Sequence, residues 1–153
     1  MTITFHISEK CSKDVEPILR ALPEWFGIEE STLQYIKDAN SLTSMLAKDG
    51  DAVVGFITIR KHFPETVEMH CLGVLPTYHR TGIGRQLVTA LEDHLKKEGV
   101  KFLQVKTVSE DRACDAYAKT RKFYLGVGFT PLEVFPTLWD EANPCLLLAK
   151  YLQ

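Results

Sequence analysis

Apolar residues recur at every fourth position from Ile83 through Leu87 and Leu91 to Leu95, the clearest helical stripe in the chain. It predicts a helix over 82–98, with Lys96 and Lys97 in the last turn and Gly99 as terminator. A second stripe, Val15, Ile18, Leu19, Leu22 and Phe26, predicts a helix over 14–26. Pro17 then falls in its first turn, where a missing N–H costs little. A short helix is expected at 31–37 and another at 112–125. Apolar runs bounded by turn residues predict strands at 2–7, 44–48, 52–61, 66–75, 101–108, 129–135 and 145–151. Asp49-Gly50-Asp51 marks a hairpin between the second and third of these. This order describes a mixed α/β protein with a central, largely antiparallel sheet flanked by helices.

Bulk properties narrow the function. The chain has 153 residues without repeat, linker or low-complexity tract, so one domain over 1–153 is expected. A net charge of -2 gives no long-range attraction for nucleic acid or an anionic membrane, so neither is an expected partner. No apolar run approaches the roughly 20 residues that span a bilayer. The four cysteines, at 11, 71, 114 and 145, form no Cys-x-x-Cys pair and have no histidine near enough for a zinc set. No metal is therefore expected, and the cysteines read as reduced thiols. The N-terminus lacks a basic segment followed by an apolar one, so the reading is a cytoplasmic protein.

Two segments carry chemistry. After the strand ending at Val74, a turn containing Gly82 and Gly84 opens the 82–98 helix. Helix N-termini present unbonded N–H groups and partial positive charge to anions. The glycines would admit a phosphate to the backbone, with Arg80 and Arg85 adding charge. A plain turn is the competing reading. Two nucleotide motifs do not fit: Gly-x-x-x-x-Gly-Lys-Ser/Thr is absent, and Leu87 stands where a dinucleotide fingerprint needs a small residue. On the strand itself, alternation is expected to put Glu68, His70, Leu72 and Val74 on one face. Glu68 and His70 would then form an acid/base pair beside the turn. A protonated amine with a pKa near 10.4 needs such a base, because deprotonating it at pH 7 costs about 4–5 kcal/mol.

The valine-ended strand, Pro76 and His79-Arg80-Thr81-Gly82-Ile83-Gly84 together resemble the central motif of the GNAT superfamily of N-acetyltransferases. Tyr117-Ala-Lys-Thr-Arg-Lys-Phe-Tyr124-Leu-Gly-Val-Gly128-Phe129 resembles that superfamily's helix ending in Tyr-x-x-x-Gly-Phe, in a bacterial subgroup. The resemblance covers about 52–151. It implies a sheet splayed around a cofactor site and acetyl-CoA as co-substrate. It also implies backbone amides of His79, Arg80, Thr81, Gly82, Ile83, Gly84 and Arg85 on the pyrophosphate, and Leu72 and Val74 main chain on the pantetheine. Tyr124 would lie by the sulfur. Glu68 and His70 both match positions of general bases, and which one acts is left open. A bulge is expected within 71–73, near Gly73.

Two positions depart from the pattern: His79 replaces Gln or Arg, and Tyr117 stands where many relatives place an asparagine that contacts the cofactor. The implied reaction is direct acetyl transfer to a primary amine of a small molecule or peptide, without an acyl-enzyme. A longer acyl-CoA, or a non-catalytic acyl-CoA-binding regulatory module, are the alternatives. The resemblance also allows a homodimer. Trp25, Phe26, Tyr35, Phe135 and Trp139 are the candidates to line the acceptor pocket.

Overall fold

A computed structural model describes residues 2–153. Its elements are β1 (Ile3–Ser8), α1 (Ser12–Arg20), α2 (Glu29–Ser41), β2 (Thr43–Asp49), β3 (Ala52–Phe63) and β4 (Thr66–Val74), then a short 3-10 turn (Pro76–Tyr78). They continue with α3 (Ile83–Lys97), β5 (Phe102–Val108), α4 (Asp115–Gly126), β6 (Thr130–Asp140) and β7 (Asn143–Tyr151). The strands form one sheet in the order β1-β2-β3-β4-β5-β7-β6. Every pairing is antiparallel except β4–β5, which is parallel and ends after Met69↔Val105. Beyond that point the two strands diverge, so the expected splayed, largely antiparallel sheet is present.

Each face has its own core. The apolar stripe of α3 (Ile83, Leu87, Leu91, Leu95) packs on Met45, Val54, Ile57, Val67 and Met69, and α4 joins it through Tyr124. On the other face Val15, Ile18, Leu19 and Leu22 pack on Leu46, Phe56 and Cys71.

Helix α1 differs from expectation at both ends. It starts at Ser12, with the Cys11 carbonyl accepting from Asp14 and Val15, so Pro17 lies inside the helix rather than in its first turn. It stops at Arg20 instead of near Phe26, because Pro23 disfavours helical geometry at Leu22. Leu22 and Phe26 still reach the core, carried there by turns.

Strand β4 holds the consequential departure. Thr58 pairs with Cys71 and Ile59 with Met69, so His70 is the extra residue of a β-bulge, one position before the expected range. The bulge breaks the alternation. Val67 and Met69 belong to the α3 core, which puts Glu68 on the α2 face, where His70 and Cys71 also lie. Leu72 and Val74 then pack toward α3. The single face expected for Glu68, His70, Leu72 and Val74 is therefore split: the first two face α2, the last two face α3.

Candidate active site

The turn before α3 has a backbone suited to an anion. Gly82 caps the helix in the left-handed region at φ +85°, and Arg80, a non-glycine, is left-handed at φ +63°. The first amide satisfied by the helix is that of Gln86, bonded to the Gly82 carbonyl at 3.0 Å. The six consecutive amides of residues 80–85 donate to no atom among the described residues. They form a run of unbonded donors at the positive end of a 15-residue helix.

The two glycines serve different ends. A Cβ on Gly82 would meet nothing within 4 Å, so its requirement is the left-handed conformation. A Cβ on Gly84 would stand 3.2 Å from the Phe123 ring, so this glycine lets α3 and α4 touch. Arg85 likewise donates to the Gly126 carbonyl at 3.1 Å, closing the end of α4, while Arg80 has no side-chain partner among the described residues.

The gap between β4 and β5 begins at the bulge. Leu75 N–H bonds the Val54 carbonyl across to β3, so by alternation the main-chain groups of Val74 and Leu72 point the opposite way, into the gap. His79 Nε2–H already donates to the Val74 carbonyl at 2.7 Å. Helix α4 lies along the far side, fastened by Arg121 to the Val108 carbonyl at 2.7 Å.

Tyr124 is 6 % exposed, and its hydroxyl has no hydrogen-bond partner among the described residues. Burial pushes its phenol well above the usual value, with Cys71, Tyr35 and Tyr117 close enough to add to the effect. Tyr124 packs with the α3 core yet senses two residues of the α2 face, which is possible where the sheet is open. Tyr117 faces the α1–α2 linker and donates to the Trp25 carbonyl at 3.2 Å. Trp25 returns its indole N–H to Thr120 at 2.9 Å and Ala116 at 3.2 Å, with its ring edge toward His79.

On the α2 face, Glu68 is buried and its Oε1 accepts from His62 at 2.7 Å and Lys106 at 3.3 Å. His70 donates through Nε2–H to Asp38 at 2.8 Å, with Tyr35 edge-on to its ring. Cys71, beside it, is buried, and desolvation keeps its thiol protonated far above the ordinary range. Of the expected pocket aromatics, Trp25, Phe26 and Tyr35 border this face, Phe135 is half-buried opposite Cys145, and Trp139 is exposed.

Asp38, His62 and Lys106 escape a reading by motif. The hairpin joining β3 to β4 could have revealed His62, since its turn brings that residue back beside Glu68. Nothing in the sequence links Asp38 to His70, 32 residues away.

A seven-stranded, largely antiparallel sheet that opens between β4 and β5, flanked by four helices, is the fold of the GNAT acetyltransferases. The model of the acetyltransferase (GNAT) family matches residues 12–123, and the chain belongs to that family, whose members are acetyl-CoA-dependent N-acetyltransferases. No curated protein sequence matches the chain. Among solved structures it is similar to a GNAT-family protein from Desulfovibrio desulfuricans, at TM-score 0.86 and 15% identity over 99% of this chain and 100% of the other. It is also similar to the ribosomal-protein-S18-alanine N-acetyltransferase of Escherichia coli, at TM-score 0.77 and 17% identity over 99% and 95%. A GNAT acetyltransferase from Elizabethkingia anophelis with acetyl-CoA bound matches at TM-score 0.73 and 20% identity over 98% of each chain. No helix among the described residues is long and apolar enough to cross a membrane.

Proposed function

We propose that residues 1–153 act as one unit that moves the acetyl group of acetyl-CoA onto a primary amine by direct attack. The observation that carries this reading is the run of six free amides at 80–85, at the head of the gap. The pyrophosphate would sit on those amides, and the pantetheine would run along the main chain of Leu72 and Val74. His79 would yield the Val74 carbonyl as it enters. Acetyl-CoA supplies an activated thioester, and the chain's own residues do the rest.

His70 would take the proton of the amine as its nitrogen bonds to the thioester carbon. The C–S bond breaks, its electron pair stays on sulfur, and Tyr124 donates a hydrogen bond to the departing thiolate. His70 suits the base role because its Nε2 is committed to Asp38 and its Nδ1 is not. Glu68 Oε1 already accepts from His62 and Lys106, which leaves it less free to take the amine proton. Cys71, buried and protonated, is unsuited to carrying the acetyl group, which favours direct transfer.

The acceptor would enter between α2 and the β6–β7 hairpin. One similar enzyme acetylates the alanine of a ribosomal protein, so both peptide and small-molecule amines belong in the screen. Calorimetric titration with acetyl-CoA is the test, run beside Gly82→Glu. About one equivalent bound by the wild type and none by the folded variant supports the reading. Wild-type protein that fails to bind would sink it.

A further inference from the structure

Asp38 is gripped from two sides. Its Oδ1 accepts from the Gln34 amide at 2.8 Å, and its Oδ2 accepts from His70 at 2.8 Å. The His70 and Asp38 side chains are only 19% and 13% exposed. Gln34 and Asp38 lie one turn apart on α2, so the carboxylate is fixed before it meets the strand. His70 needs such a fix. It is the bulged residue of β4, and a bulge aims a side chain but leaves its ring without the ladder's support.

We propose that Asp38 is a positioning residue for His70, holding its imidazole as the Nε2–H tautomer so that Nδ1 stays bare to accept the amine proton. The proposal rests on the reading of His70 as the base. A carboxylate only accepts, so the proton on the shared bond belongs to Nε2. The other polar groups near the ring offer no substitute. Glu68 is occupied by His62 and Lys106, Cys71 is a protonated thiol, and Tyr35 meets the ring in a T-shaped aromatic contact and not through a hydrogen bond.

Gln34 makes the arrangement testable. In Asp38→Asn, the Gln34 amide would still claim the Asn oxygen, turning the Asn NH2 group toward His70. Nε2 must then accept, and the proton moves to Nδ1. The isosteric change is thus expected to invert the tautomer without disturbing the packing. Adding Gln34→Leu frees the Asn amide to rotate and should restore the original tautomer in part.

The tautomer is read by 15N NMR of histidine-labelled protein, the His70 signals being assigned by their loss in His70→Gln. Turnover is read with acetyl-CoA and whichever of an aminoglycoside, a polyamine, lysine amide or an alanine-headed peptide the wild type acetylates fastest. Expected are an Nε2–H signature in the wild type, an Nδ1–H signature in Asp38→Asn and a kcat lower by about 100-fold or more. Acetyl-CoA affinity should stay within about twofold, because the Asp38 carboxylate bonds Gln34 and His70 and no residue of the amide turn, and the double variant should regain part of the rate. An Nδ1–H signature in the wild type overturns the proposal even if the variant fails to fold. So does a tautomer unchanged by the substitution, or a rate indifferent to its inversion. Absence of transfer by the wild type to all four amines overturns instead the transferase reading on which the role depends, whatever the tautomer.

Discussion

Tyr124 sets two demands against one another. Burial holds its phenol above the ordinary value of 10.0, whereas a departing thiolate has a pKa near 8.5. Complete proton transfer from the phenol to that thiolate is therefore uphill, and the residue suits hydrogen-bond donation instead. A hydrogen bond to a charged group contributes about 1.5–3 kcal/mol. Tyr124→Phe is accordingly expected to lower kcat by about 10- to 100-fold while acetyl-CoA affinity changes little. Steady-state rates set beside calorimetric affinities decide the matter, and an equal loss of both would contradict the role.

At the scale of elements, the junction of α3 and α4 depends on two glycines for unlike reasons, and substitutions should separate them. Gly84→Val drives a branched side chain into Phe123 and should destabilise the fold by about 1–3 kcal/mol. Gly82→Asn keeps access to the left-handed region in open space and should unfold within about 1 kcal/mol of wild type. Urea melts of both variants distinguish the cases; equal loss would remove the distinction.

Helix α3 and its turn could be read from the chain because a four-residue repeat and a glycine pair are local signals. The end of α1 was hidden by an apolar stripe that continues past Pro23, since periodicity records burial and not backbone geometry. A bulge was expected within 71–73, near Gly73, but nothing local placed its extra residue at His70. Register is a relation between two strands, so a one-residue offset appears only when the partner is in place, and it then reverses the face of everything downstream. Asp38 escaped for a similar reason: its partner is fixed by how α2 lies against the sheet.

The whole molecule hides several acids that ionise only with difficulty. Cys71, Tyr35 and Tyr124 are all raised by burial above ordinary values of 9.0, 10.0 and 10.0. Each binds its proton more tightly folded than unfolded, so its contribution is complete below the ordinary value and is lost as pH rises above it. Stability should hold through neutral pH, begin to fall near pH 9 and fall faster beyond 10, by about 1.4 kcal/mol per pH unit for each group ionised in the unfolded chain. Thermal melts across that range check this, and Tyr35→Phe with Tyr124→Phe should flatten the steeper part. An unchanged slope would show that other groups govern it.

The divergence of β4 and β5 also partitions the chain in a way that matches its order. Every antiparallel pairing lies wholly on one side of the Glu98–Gly99 turn: β1 to β4 before it, β5 to β7 after it. Among the described residues, the only ladder across that divide is the four-pair one from Thr66↔Phe102 to Met69↔Val105. A molecule nicked at that turn would keep each half-sheet intact, leaving the short ladder, the helix packing and whatever fills the gap to hold the pieces together. The tendency of the two pieces to reassemble thereby becomes a gauge of the ligand between them.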